Sequence, residues 1–250
     1  MKKIVSAIGI FLIAISFVDK PKKITIFMAG DSTMSVKETS AYPETGWGMP
    51  FVHFWDSSVA IVNKAKNGRS TRTFINEGLW KSIADNLNKG DYVFIQFGHN
   101  DEAKEKTDRY TTPDEFKQNL TKFISESRSK GATPVLFTPV SRRRFDSTGT
   151  AIESHPVYSR LTREVAKETG VIFIDLDARS RELYQHFGAE NSKLLFLQLK
   201  PGEHPNYPEG KNDNTHFNEL GARLVAQIVL QEIRSVIPEL NERIVVPKKK

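Results

Sequence analysis

Along the 250-residue chain, apolar positions gather into short runs separated by longer stretches of mixed character. Runs at Ile24–Ala29, Val59–Val62, Tyr92–Phe97, Pro134–Thr138 and Val171–Leu176 are continuous rather than alternating and too short for stable helices, a pattern that predicts strands buried on both faces. The segments between them follow helical spacing. In "PDEFKQNLTKFISESRSKG", residues 113–131, Phe116, Leu120, Phe123 and Ile124 share one stripe, and Gly131 supplies the stop. "SRLTREVAKETG" repeats the plan with Leu161, Val165 and Gly170, and Leu220, Leu224 and Ile228 mark a last helix. Strand alternating with helix implies right-handed crossovers and an open parallel sheet covered on both faces, an α/β fold of three layers around five strands. No internal repeat or linker interrupts this plan, so a single domain over residues 19–250 is expected.

Two stretches depart from it. "RRRFDSTGTAIESHP", residues 142–156, is a polar loop after the fourth strand. "LKPGEHPNYPEGKNDNTH", residues 199–216, is rich in Pro, Gly and Asn and leads into the last helix. Loops of this length are commonly functional or disordered, and those at the carboxyl ends of parallel strands form the ligand crevice of open α/β sheets.

Composition narrows the class. With 38% hydrophobic and 26% charged residues, the chain reads as globular. Residues 1–18 stand apart: "MKK" followed by the uncharged run Ile4–Val18, with small residues Ala14 and Ser16, has the layout of a secretory signal peptide. The run is shorter than the roughly 20 residues of a membrane span, so an exported, periplasmic or secreted protein with no span after leader removal is expected. The net charge of +6 suggests a nucleic-acid partner until its location is noted. Lys2, Lys3 and Lys248–Lys250 account for five of those charges, leaving +1, too little for a basic phosphate-binding face. The absence of cysteine removes thiol nucleophiles and cysteine-based metal sites.

Candidate chemistry sits where strands end. Ser32 follows the first strand in "MAGDSTM"; it suits a helix N-cap as well as a nucleophile. Gly68 falls in a turn after the second strand, in "NKAKNGRSTRTF", where a glycine can present its backbone N–H to a ligand. "FIQFGHND" ends the third strand with His99, Asn100 and Asp101. Asp213 and His216, three apart before the last helix, can face the same way, so that the carboxylate orients the imidazole. A surface turn is the plainer alternative for that pair.

Taken together, G-D-S, Gly68, G-H-N-D and D-x-x-H, in this order and strand context, resemble the SGNH or GDSL-type hydrolases over nearly the whole chain after the leader. "GWGMPF", "NKAKNGRSTRTFINEG" and "DNTHFNELGA" further resemble the rhamnogalacturonan acetylesterase branch. The resemblance implies a flavodoxin-like sandwich and a serine esterase that removes acetyl groups from a plant cell-wall polysaccharide, with no cofactor or metal required. By it Ser32 is the nucleophile, His216 its base and Asp213 the residue orienting His216, while the N–H groups of Ser32 and Gly68 and the amide of Asn100 form the oxyanion hole. Asp31 and Asp101 hold turns. A partner of this kind, an acetylated polysaccharide or oligosaccharide carrying galacturonate, favours arginine, whose planar fork matches a carboxylate. Arg69, Arg72 and His155 are therefore expected substrate contacts, and Arg142–Arg144 are either contacts or a solvated run. Trp47, Trp55 and Trp80 suit either sugar stacking or the core. His99 and His155 are rival bases to His216. Deacetylation of another polymer such as xylan, or an inactive carbohydrate-binding module, are the alternatives.

Overall fold

The computed structural model describes residues 22–246; the leader expected over residues 1–18 and the lysines at 248–250 lie outside them. The expected strands form β1 (Ile24–Gly30), β2 (Val59–Asn63), β3 (Tyr92–Gln96), β4 (Thr133–Phe137) and β5 (Ile172–Ile174). They pair in the order β2-β1-β3-β4-β5, every pair parallel. The helices are α1 (Gly48–Phe51), α2 (Thr71–Asn76), α3 (Leu79–Ala84), α4 (Pro113–Ser129), α5 (Pro156–Thr169), α6 (Leu176–Asn191), α7 (Glu219–Val236) and α8 (Pro238–Asn241).

The two-residue period of a strand sorts its side chains between the faces. Ile24, Ile26 and Met28 of β1 join Tyr92 and Phe94 of β3 in a core closed by Trp47 and Phe51 near α1, Tyr184 of α6 and Val225 and Val229 of α7. Phe27 and Ala29 join Val93 and Ile95 in the opposite core, closed by Phe74 of α2, Trp80 of α3, Phe116 and Phe123 of α4 and Leu161 of α5. All three tryptophans are therefore buried core residues, and none is placed to stack on a sugar.

Two local expectations are corrected, and the last helix, on which Leu220, Leu224 and Ile228 lie as expected, gains its full buried stripe. The edge strand β2 is only half-buried, because an edge strand has a neighbour on one side alone. The buried stripe of α7 is Ala222, Val225, Ala226, Val229 and Ile233, with Leu220, Leu224 and Ile228 on its flank. The segment before α7, expected as loop, contains an antiparallel ribbon of β6 (Phe196–Leu199) and β7 (Lys211–Phe217). Among the described residues no helix is long and apolar enough to cross a membrane.

Candidate active site

The chain runs from β1 outward to β2, then returns to β3 on the other side of β1. Loops leaving β1 and β3 thus diverge at the sheet's carboxyl edge and open a crevice. Ser32, Gly68 and Asn100, each just beyond one of the first three strands, stand at that edge.

Gly30 ends β1 for reasons of space. A Cβ there would lie 2.8 Å from Met34 Sδ and 2.9 Å from the backbone oxygen of Gln96. Ser32 then enters a turn rather than a helix, so it is no N-cap. Asp31 holds that turn: its Oδ1 accepts from the Thr33 N–H at 2.9 Å and from Thr33 Oγ1 at 2.7 Å. The same hydroxyl accepts from Gln96 Nε2 at 2.6 Å, and Trp47 Nε1 donates to Gln96 Oε1 at 2.7 Å. A wholly buried polar chain therefore ties the serine turn to the adjacent strand. Gln96, a polar residue inside the apolar run "YVFIQF", was its signal in the sequence.

Ser32 Oγ lies 2.9 Å from His216 Nε2, although 184 residues separate them. His216 Nδ1 lies 2.8 Å from Asp213 Oδ2. An ionised carboxylate can only accept, so Nδ1 carries the proton and Nε2 is left to accept the Ser32 hydroxyl. Burial pushes the Asp213 carboxyl up, but the hydrogen bond and electrostatic attraction of the His216 ring and the N–H groups of His216 and Thr215 outweigh it and hold the carboxyl well below the usual range. Those two N–H groups reach Asp213 Oδ1 at 2.9 and 2.7 Å. The pair stands on β7 at a bulge, where the register shifts against β6 between Phe196 and Gln198. The expected turn is thus built into a strand, and the bulge turns its side chains toward the crevice.

The loop after β4 clamps this bulge. Arg143 donates from its backbone to Asn214 O at 2.8 Å and from Nη1 to Asn214 Oδ1 at 2.9 Å. Arg142 Nη1 donates to Thr215 Oγ1 at 3.2 Å. From β6, Gln198 Nε2 donates to Asp213 O at 2.9 Å. The arginine run therefore divides: Arg142 lines the crevice, Arg143 grips the bulge and Arg144 faces solvent. Periodicity carries no sign of such a clamp, because its partners are some 70 residues away.

Asn100 Nδ2 donates to Arg69 O at 3.0 Å, and Arg109 Nη1 approaches Asn100 Oδ1 at 3.5 Å. Gly68 adopts a left-handed backbone, φ 77°, and a Cβ there would lie 3.0 Å from Arg109 Nη1. Arg109 thus sits beside both oxyanion candidates. Asp101 reaches back to the first turn of α2, its Oδ1 accepting from Thr71 N at 2.9 Å and Thr71 Oγ1 at 2.6 Å. Burial pushes Asp101 up to about 7 and also raises Asp31. Neither acid reaches the crevice lining.

Ser32, His99, Asn100, Glu102, Arg142, Thr215 and His216 line a cavity of about 330 Å³, with Lys106 and Glu105 on its rim. A larger cleft of about 640 Å³ at Tyr42, Met49, His53 and Arg223 includes none of Ser32, Asp213 or His216. The residues expected as substrate contacts each have partners within the protein. Arg69 is paired with Glu77 at 2.9 Å, and Arg72 forms a two-pronged pair with Glu115. Neither lines the cavity. His155 is fully buried and its Nδ1 lies 2.8 Å from Glu102 Oε1, so it braces a cavity wall instead of meeting solvent. His99 Nε2 donates to Val140 O at 2.9 Å. Burial, then the neighbouring His155, Arg142 and His216, push the His99 imidazole well below its ordinary range. Of the three rival histidines, His216 alone is within hydrogen-bonding distance of Ser32 Oγ.

Comparison with known proteins agrees with this architecture. The family model of the GDSL-like lipases and acylhydrolases matches residues 28–224. The rhamnogalacturonan acetylesterase RhgT of Bacillus subtilis is 43% identical over 224 residues, covering 90% of this chain and 95% of the relative. The rhamnogalacturonan acetylesterase of Emericella nidulans is 29% identical over 246 residues, covering 90% of this chain and 91% of that protein. Among solved structures, the Bacillus subtilis protein YxiM superimposes with a TM-score of 0.74 at 28% identity; the match covers 87% of this chain and 58% of that longer one. The chain belongs to the GDSL-like lipase/acylhydrolase family.

Proposed function

We propose that the protein is an acetylesterase of plant cell-wall polysaccharide, acting on acetylated rhamnogalacturonan through Ser32, His216 and Asp213. The observation that carries the reading is the pair of short hydrogen bonds, Ser32 Oγ to His216 Nε2 at 2.9 Å and His216 Nδ1 to Asp213 Oδ2 at 2.8 Å, in a polar cavity. The polymer is the one named for the relative at 43% identity.

A serine hydroxyl is a weak nucleophile at neutral pH and needs an adjacent base. As Ser32 Oγ bonds to the acetyl carbon, its proton passes to His216 Nε2, and the carbonyl electrons collect on oxygen. The donors assigned to that oxyanion are the N–H groups of Ser32 and Gly68 and the Asn100 amide, whose other amide hydrogen is held by Arg69 O. When the tetrahedral centre collapses, the bond to the sugar oxygen breaks and His216 returns the proton to it. Water, deprotonated by His216, then attacks the acetyl-enzyme and releases acetate. Asp213 keeps the ring in the required tautomer and stabilises the imidazolium. An acetyl group asks for a small acyl pocket beside a large alcohol site, which suits a confined cavity opening between polar loops. A periplasmic or secreted setting accords with the N-terminal leader pattern and with a polymer too large to enter a cell.

The test is acetate release from acetylated rhamnogalacturonan and from acetylated xylan, with Ser32→Ala as the blank. Faster release from the pectic polymer, and none above background from Ser32→Ala, is expected. A wide margin in favour of xylan overturns the pectin assignment, and undiminished release by Ser32→Ala overturns the mechanism.

A further inference from the structure

We propose that Arg142, with Lys106 lining the same cavity, forms a subsite for the carboxylate of a uronic-acid residue next to the scissile acetyl. This rests on the acetylesterase reading and names how the same cavity selects an acidic sugar.

Arg142 and Lys106 are the cationic side chains of the cavity that contains Ser32 and His216. The Arg142 side chain is 39% exposed, so its head group is reachable, yet it is held in place from two directions. The backbone N–H of Arg142 donates to Ser154 Oγ at 2.8 Å and fixes the main chain, while the guanidinium is held by Nη1 donating to Thr215 Oγ1 at 3.2 Å and by Nη2 standing 3.5 Å from Glu102 Oε1. A guanidinium has five N–H donors in a rigid fork, and these contacts occupy two of its nitrogens.

Two carboxylates share the cavity and could cancel the cations. Glu102 is engaged more closely elsewhere, by buried His155 at 2.8 Å, and its contact with Arg142 at 3.5 Å aims the guanidinium without saturating it. Glu105 lies exposed on the rim, where solvent screens its charge. Arg142 is fixed beside Thr215, the residue adjoining His216, so a carboxylate resting on it belongs to the sugar whose ester Ser32 attacks or to its neighbour. A neutral polymer offers this arginine no carboxylate. A planar, preorganised fork beside the nucleophile is the arrangement that recognises a carboxylate at two points.

The experiment alters the substrate as well as the protein. Acetylated galacturonate oligosaccharides are compared with the same oligosaccharides after methyl esterification of their carboxyls, following acetate release. For the wild-type protein, esterification is expected to raise KM about tenfold, the size of a charge-assisted hydrogen bond in a half-exposed setting, with little change in kcat. In Arg142→Gln, KM for the free acid should rise to that of the ester, so that the two substrates become alike. Lys106→Gln, which removes no hydrogen bond to Asp213, Asn214, Thr215 or His216, should narrow the difference in the same direction by a smaller factor. A wild-type KM indifferent to esterification overturns the subsite. So does an Arg142→Gln variant that slows both substrates equally through kcat, which would assign Arg142 to holding Thr215 alone. No acetate from either substrate would overturn the acetylesterase reading itself, and the subsite with it.

Discussion

At the scale of single residues, the assignment of the base depends on two distances and one tautomer. His216 has its Nδ1 proton committed to Asp213 and its Nε2 within 2.9 Å of Ser32. His99 spends its Nε2 proton on Val140 O and is buried in a cationic neighbourhood that keeps it neutral. His216→Ala is therefore expected to remove turnover by several orders of magnitude, as loss of a triad base does elsewhere, while His99→Ala leaves most of it. Steady-state kinetics on a small acetyl ester compares the two, and equal losses would overturn the assignment. Asn100→Ala tests the oxyanion role on the same footing. Removing one such donor costs about 3 to 4 kcal/mol in the barrier, so a fall of at least a hundredfold should appear in kcat with KM nearly unchanged.

At the scale of elements, the bulge on β7 depends on a loop that leaves β4, a strand of the other sheet. Arg143 is half-buried, holds Asn214 through both its backbone and its side chain, and reaches Ser192 Oγ at 3.0 Å. It touches neither Ser32 nor the cavity lining, so it acts by positioning Asp213 and His216. Arg143→Met keeps the length of the side chain and deletes its hydrogen bonds; kcat is expected to fall about tenfold or more with KM for a small ester unchanged. Arg143→Lys should restore part of the loss, since an ammonium can still donate to Asn214 Oδ1. A general loss of stability without the kcat effect would reduce Arg143 to a structural brace, and thermal denaturation run beside the kinetics separates the two. The elements were unequally legible. Helices α4 and α5 follow from spacing and stop signals in their own segments. The β6–β7 ribbon does not, because its two strands are joined by a Pro- and Gly-rich excursion and pair through a broken register that no periodicity announces.

At the scale of the whole molecule, two buried acids lie beneath the site and give its stability a pH dependence. Asp101 titrates near 7 in the fold against 3.8 unperturbed, chiefly because burial penalises its charge, with the nearby Asp31 acting in the same direction. The folded state thus holds this proton more tightly than the unfolded chain does. Its contribution is full below about pH 4 and is lost as the pH rises through about 7. Asp101→Asn keeps an acceptor for Thr71 and cannot ionise, so the decline in stability between pH 5 and pH 8 should be shallower than in the wild type, by a few kcal/mol at most. Denaturant titrations at the two pH values measure the difference, and parallel slopes would show that Asp101 does not carry it. The sign is opposite for Asp213, whose depressed carboxyl contributes stability above its unfolded value and loses it only in strong acid.

Local chemistry in the chain was sufficient to determine the class of fold, the approximate strands and the buried faces of α4 and α5, whereas Ser32, Gly68, Asn100, Asp213 and His216 were nominated as a set through their resemblance to the family's motifs. The strands and helix faces are set by a residue and its near neighbours: an apolar run or a helical period. Only the tertiary structure decided which histidine meets Ser32, that Arg69 and Arg72 are spent on Glu77 and Glu115, that His155 is walled in, and that the three consecutive arginines have three different fates. Those outcomes turn on contacts between segments tens to nearly two hundred residues apart, where the partner of a charge is chosen by crossovers of the sheet and not by its neighbours in sequence.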